Sequence, residues 1–260
     1  YEFGLQQQLG QITAIEMSAF YKDIRDLLAV QSIRYESQKY GPSNYAIYMN
    51  KDYGNVKGYT FSLTKRYDPI SKTSAFVDYT YQVTEGNSVN SGSFYYNALS
   101  GEQEEKRIVP LAWDQRHIFN TNFSVGDPRN WNLGIISKLS SGWPYTPNIP
   151  DANYVPQPNS GRKPWQWRVD MRIHKNFKIR KLNYIFYMKV YNLLDRRNER
   201  YVFDDTGRAG YTYVFQSTQE TQGFKNHYGE PGVHEWSEYQ VRPHYYTAPR
   251  SINMGFSVDF

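Results

Sequence analysis

The chain has 260 residues, with 30 basic and 25 acidic side chains, a formal net charge of +5 and no cysteine. The missing cysteine excludes disulfides, thiolate metal sites and a cysteine nucleophile. No apolar run reaches the roughly 18 residues of a membrane-spanning helix. A transmembrane β-barrel stays open, because its strands alternate polar and apolar residues and keep mean hydropathy low.

Rings are abundant, with 25 tyrosines, 14 phenylalanines and 6 tryptophans. A soluble core rarely needs so many, whereas membrane–water interfaces collect them. The slight basic excess fits a mixed surface better than a nucleic-acid interface.

In chain order, a period of two predicts strands over 1–9, 12–31, 45–66, 73–86, 113–126, 131–147, 165–179, 183–195 and 249–260. In 73–86, Ala75, Val77, Tyr79, Tyr81 and Val83 share a face, opposite Ser74, Asp78, Thr80 and Gln82. In 131–147, Trp131, Leu133, Ile135, Leu139 and Trp143 oppose Asn132, Lys138 and Ser140. The longest clear alternation is WQWRVDMRIHKNFKI at 165–179. There Trp165, Trp167, Val169, Met171, Ile173, Phe177 and Ile179 oppose Arg168, Asp170, Arg172, His174 and Lys178. About fifteen residues of alternation is long against a usual strand of about five or six. The last candidate, SINMGFSVDF, turns Ile252, Met254, Phe256, Val258 and Phe260 to one side.

The connections alternate as well. Short links fall near 10–11, 67–72, 127–130 and 180–182, and long ones near 32–44, 87–112, 148–164 and 196–248. Strict short–long alternation predicts an antiparallel transmembrane barrel with short periplasmic turns and long extracellular loops. On that orientation the last strand runs inward and the C-terminus is periplasmic. Trp131, Trp143, Trp165, Trp167, Phe177 and Phe260 fall at strand ends and are the expected membrane-interface aromatics. Bacterial single-chain barrels have an even strand number. About nine strands therefore predict that 1–260 is the C-terminal portion of a larger barrel, with the N-terminal strands outside this chain.

Several segments resemble the C-terminal half of the barrel of a TonB-dependent outer-membrane receptor. They are FYKDIRDLL (20–28), NVKGYTFSL (55–63), WDQRHIFN (113–120), SGWPYTP (141–147), NSGRKPWQWRVDMRIHKNF (159–177) and VYNLLDRRN (190–198). In the second of these Thr60 stands where an acidic residue is usual in the family. The resemblance implies a barrel of 22 strands in the outer membrane and an N-terminal plug outside this chain. It implies energised uptake of a siderophore, cobalamin, oligosaccharide or peptide, driven by an inner-membrane complex acting on the plug. The alternative is a non-transporting barrel that serves as a scaffold or surface receptor in an assembly. Asn253, Gly255, Val258 and Phe260 also resemble the C-terminal signal read by the barrel-assembly machinery. Outer-membrane lipid, the rest of the barrel and the plug complete the expected partners. No cofactor is expected.

Arg168, Arg172 and His174 are candidate lumenal cations for an anionic ligand. The bland alternative for them is ordinary lumen polarity with Arg–Asp pairing. In the aromatic loop 196–248, Tyr228, Trp236 and Tyr239 are candidates for ligand stacking, against the alternative of a self-packed loop. His227, His234 and His244 lack metal-ligand spacing. No GxSxG, HExxH or P-loop pattern occurs, so an enzyme is not expected.

Overall fold

The structure is a computed structural model that describes residues 1–39, 41–87, 107–148, 156–180, 182–213 and 242–259. Twelve strands lie among them. They are β1 (Glu2–Leu9), β2 (Thr13–Ser37), β3 (Gly41–Asp68), β4 (Thr73–Gly86), β5 (Val109–Pro110) and β6 (His117–Asp127). The chain continues with β7 (Trp131–Ser140), β8 (Pro144–Tyr145), β9 (Gly161–Arg162), β10 (Gln166–Ile179), β11 (Leu182–Tyr191) and β12 (Ser251–Asp259).

Nine of them form one antiparallel meander in the order β1-β2-β3-β4-β6-β7-β10-β11-β12. All nine correspond to strands expected from the alternation. Sequential neighbours pair throughout, so the short turns gather at one end of the sheet and the long connections at the other. Two of the turns share one chemistry. Asp68 and Asp127 each precede a proline, and their carboxylates accept the N–H groups of Ile70, Ser71 and Arg129. The turn from Ile179 to Leu182 is two residues long and opens with Arg180 at φ 57°, as tight hairpin turns require.

Four boundaries differ from the sequence expectation. The link expected at 32–44 is a continuation of β2 and β3, paired up to Ser37 and Gly41. A bulge between Ile24 and Leu28, with Asp26 at φ 60°, marks where this hairpin grows past its neighbours. Residues 113–116 leave the ladder because Asp114 turns inward, as described below. Residues 141–143 depart from the wall, and 144–145 pair instead with β9. Asn192 at φ 53° and Asp195 at φ 50° lie where β11 ends, four residues early.

The registers bring the apolar positions into continuous rows. One row is Leu5, Met17, Phe61, Tyr79, Phe119, Leu139 and Trp167 across seven strands. Another is Ile173, Met188 and Met254. The opposite face is polar, with the row Glu16, Ser62, Asp78, Asn120, Lys138 and Arg168. Met254 and Phe256 remain 64% and 57% exposed, so this apolar face has no protein against it among the described residues.

Rings edge the apolar face at both ends. At the loop end Tyr59 stacks on Tyr81 at 5.3 Å, Tyr81 meets His117 at 5.1 Å, and His117 stacks on Trp165 at 5.5 Å. At the turn end Phe177, Tyr184 and Phe256 form a triangle with sides of 5.4, 5.6 and 6.0 Å. Trp167 and Phe177 bracket the band on β10. Ten steps of about 3.4 Å at a tilt of about 40° give a height of about 26 Å. With the tilt taken from outer-membrane barrels, that height is close to their apolar band of about 25 Å. Lys175 interrupts the apolar face near the turns and reaches out of it to Asn130 Oδ1 at 2.5 Å.

Ile173 lies near mid-height of this band. Ile173→Arg is expected to cost about 2–4 kcal/mol and to deplete the folded, heat-modifiable form of the full-length protein on gels. Arg172→Gln, one residue away on the polar face, is expected to leave that form intact. Equal depletion would contradict the assignment of faces.

Candidate functional site

At the loop end the chain folds into a platform anchored by a buried carboxylate. Asp114 is fully buried. Its Oδ1 accepts the Thr84 N–H at 2.8 Å, and its Oδ2 accepts Arg116 Nε at 2.9 Å and Arg162 Nη2. Arg162 Nη1 also donates to the Asp114 carbonyl at 2.7 Å. A buried charge is tolerable only with such compensation. One carboxylate thereby joins β4, the 107–116 connection and β9. Asn159 adds a second tie, donating from Nδ2 to Pro110 O at 2.8 Å.

Asparagines end the wall strands. The Asn198 amide offers Oδ1 to the Trp167 N–H and Nδ2 to the Trp167 carbonyl, both at 2.9 Å. It satisfies β10 as a neighbouring strand would, where no strand continues. Asn192 holds the next connection through Arg196 O and Ala248 O, each at 3.1 Å. The platform's rings pack on each other. Tyr245 meets Phe203 at 5.2 Å and Tyr201 at 5.9 Å, and Arg242 lies over Phe203 at 4.8 Å. The described part of loop 196–248 is thus self-packed.

Tyr145 lies against Gly161 and Gly207, beside Asp204 and Asp205. Desolvation, reinforced by the charge of Asp205, raises the Asp204 carboxyl above its ordinary range. Desolvation lowers the Lys163 ammonium below its ordinary range, with Asp204 opposing. Lys163 Nζ donates to Arg200 O at 3.1 Å and lies over the Tyr201 ring.

The sequence-selected cations separate. Arg168 pairs with Asp170 on its own strand at 2.8 Å, and Asp170 Oδ1 also accepts the Asn192 N–H at 2.8 Å. His174 lies at the turn end, with Nε2 3.2 Å from Pro128 O. Arg172 faces the polar side near mid-height, directly across from Lys189 of β11. Sequence reasoning missed Lys189, although the tight turn predicts the pair. Arg172 lies seven residues before Ile179 and Lys189 seven after Leu182. Tyr228, Trp236, Tyr239 and Phe260 lie outside the described residues.

Trp131 and Phe177 are at the turn end, and Trp143, Trp165 and Trp167 at the loop end. Each is between about a third and a half exposed. Asn253, Gly255 and Val258 are on β12, opposite Lys189, Tyr187 and Tyr184. The Tyr187 ring lies over Gly255, where a Cβ would collide with it. An aromatic ring covering a strand glycine protects the backbone beneath it.

No protein-family model matches the chain, and no curated protein matches it. Among solved structures it is similar to the outer membrane transporter YddB from Escherichia coli, with a TM-score of 0.56 at 14% sequence identity. The match covers 76% of this chain and 28% of YddB. It is also similar to the ferric-catecholate import receptor Fiu of E. coli K12 in its closed form, with a TM-score of 0.49 and 16% identity over 80% of this chain and 24% of that one. The fold is that of part of an outer-membrane transporter barrel. The chain spans little more than a quarter of YddB, and its nine-stranded wall is an open arc with β1 and β12 at its edges.

Two variants test how this barrel segment is held together. Asp114→Ala leaves Arg116 and Arg162 without their carboxylate and is expected to cost about 2–3 kcal/mol. Limited proteolysis of the full-length protein should then cut at the platform while the heat-modifiable barrel persists. Protection equal to the parent would contradict the anchoring role. Gly255→Val and Tyr187→Ala are expected to couple by about 0.5–1 kcal/mol in urea unfolding. Simple additivity would show that the ring and the glycine act separately.

Proposed function

We propose that this chain is the C-terminal part of the barrel of a TonB-dependent outer-membrane receptor. It supplies wall and loop platform for the energised uptake of a scarce ligand. The observation that carries this reading is the division of the wall. One face is an apolar band that runs from Trp167 to Phe177 on β10 between two aromatic edges. The other is mainly polar, with Phe20, Phe76, Ile118, Ile136 and Ile185 among its polar residues, and is topped at one end by a welded platform. An outward lipid face and an inward aqueous face account for both. The two open edges at β1 and β12 support further strands on either side, because an unpaired edge is not tolerated in lipid.

On this reading the turns are periplasmic and the platform is extracellular. The polar face lines a lumen filled by a plug, which the inner-membrane energy-coupling complex acts on. The β12 residues Asn253, Gly255 and Val258 present the assembly signal, with Phe260 beyond them. Strand addition at the β12 edge is the physical route by which the assembly machinery captures it.

The test is expression of the full-length gene in a Gram-negative cell. The product should fractionate with the outer membrane in heat-modifiable form and cross-link in vivo to the energy-coupling protein TonB. A protein that reaches the outer membrane but never cross-links, with no plug encoded upstream, would favour the scaffold reading. A protein recovered without detergent in the aqueous fraction would overturn both.

A further inference from the structure

Arg172 and Lys189 form an unbalanced pair. They stand directly opposite each other on β10 and β11, on the polar face. Like charges directly opposite on antiparallel strands repel and destabilise the sheet. Among the described residues neither makes an ion pair, because the nearby Asp170 is already bonded to Arg168 and to the Asn192 N–H. Across the other strand interfaces they meet Gly134 and Asn253, so neither cross-strand partner is an acid.

The same place is hollow. A Cβ at Gly134 would meet only the Arg172 carbonyl, at 3.9 Å. The gap opens a recess of about 240 Å³ whose polar lining includes Asn122, Ser124, Asn132, Asp170, Arg172 and Lys189. Ser124 and Asn132 bond each other at 2.7 Å and leave polar surface on its floor. The one carboxylate in the lining, Asp170, is already held by Arg168 and the Asn192 N–H, so two uncompensated cations around a hollow of this size suit a compact anion. The planar guanidinium can grip two oxygens of one carboxylate or phosphate, and the ammonium adds a point charge.

We infer that Arg172 and Lys189 form a lumenal station for a small solute bearing carboxylate or phosphate groups. This rests on the polar face being the barrel lumen, and it names the chemical class of what passes there. Arg168 and His174 take no part, being engaged elsewhere.

The experiment is calorimetric titration of the detergent-purified full-length receptor at constant ionic strength. Citrate probes the carboxylate class and pyrophosphate the phosphate class. At least one should bind, and Arg172→Gln/Lys189→Gln should weaken it by about tenfold or more. Lys138→Gln, on the same face outside the recess, should change it less than about twofold. Heat-modifiable mobility certifies folding of each variant, and the single substitutions carry the test if the double fails to fold. Unchanged binding in the folded variants overturns the proposal. So does absence of binding by both anions, and loss of thermal stability in anion-free Arg172→Glu would then identify an acidic polypeptide segment as the occupant. Failure to reach the outer membrane would instead sink the parent reading.

Discussion

Every backbone N–H and C=O that enters hydrocarbon must be paired within the protein, because no water is there to take it. A meander of antiparallel neighbours meets that demand over nine strands, and the rest of the architecture depends on it. Once the ladder is continuous, side chains have only two directions to point. A one-residue slip would exchange the faces entirely. The registers keep Leu5, Met17 and Phe61 in one row with Phe119 and Trp167, which ties the apolar face together from the first strand to the tenth.

The constraint changes where the wall ends. At the loop end the backbone still needs partners but no longer has strands to supply them, so side chains take over. Asn198 pairs both backbone groups of Trp167, Asp170 takes the Asn192 N–H, and Asp114 takes the Thr84 N–H. The same bonds tie connections remote in sequence to one another. Thus the platform and the wall share their polar groups, and a polar-face residue such as Asp170 touches both.

The wall was legible in the sequence because a period of two is strict and the two faces carry opposite chemistry. WQWRVDMRIHKNFKI shows both faces unaided, and β10 follows it nearly residue for residue. The tip of the β2–β3 hairpin, residues 32–44, is not legible as strand because the alternation weakens beyond Gln31, where small and polar residues enter both faces. The anchoring roles of Asp114 and Asn198 were not legible, although both sit in motifs that carry the family resemblance. Apart from Arg116 and Arg196, their partners lie about thirty to fifty residues away, and only the fold brings them together. The cations show the same limit. Alternation put Arg168, Arg172 and His174 on one face, but which of them already holds a partner depends on Asp170 and Pro128.

The central claim is that one face of this sheet meets lipid and the other meets water. The chain contains no cysteine, so single cysteines can be placed in turn at positions 166–179 of the full-length protein in intact outer membranes. Each is then challenged with a water-soluble maleimide and a lipid-partitioning one. Water-phase labelling should alternate with period two, high at 168, 170 and 172 and low at 169, 171 and 173, with lipid-phase labelling in antiphase. Water-phase labelling at every position, or labelling without a period of two, would contradict the account.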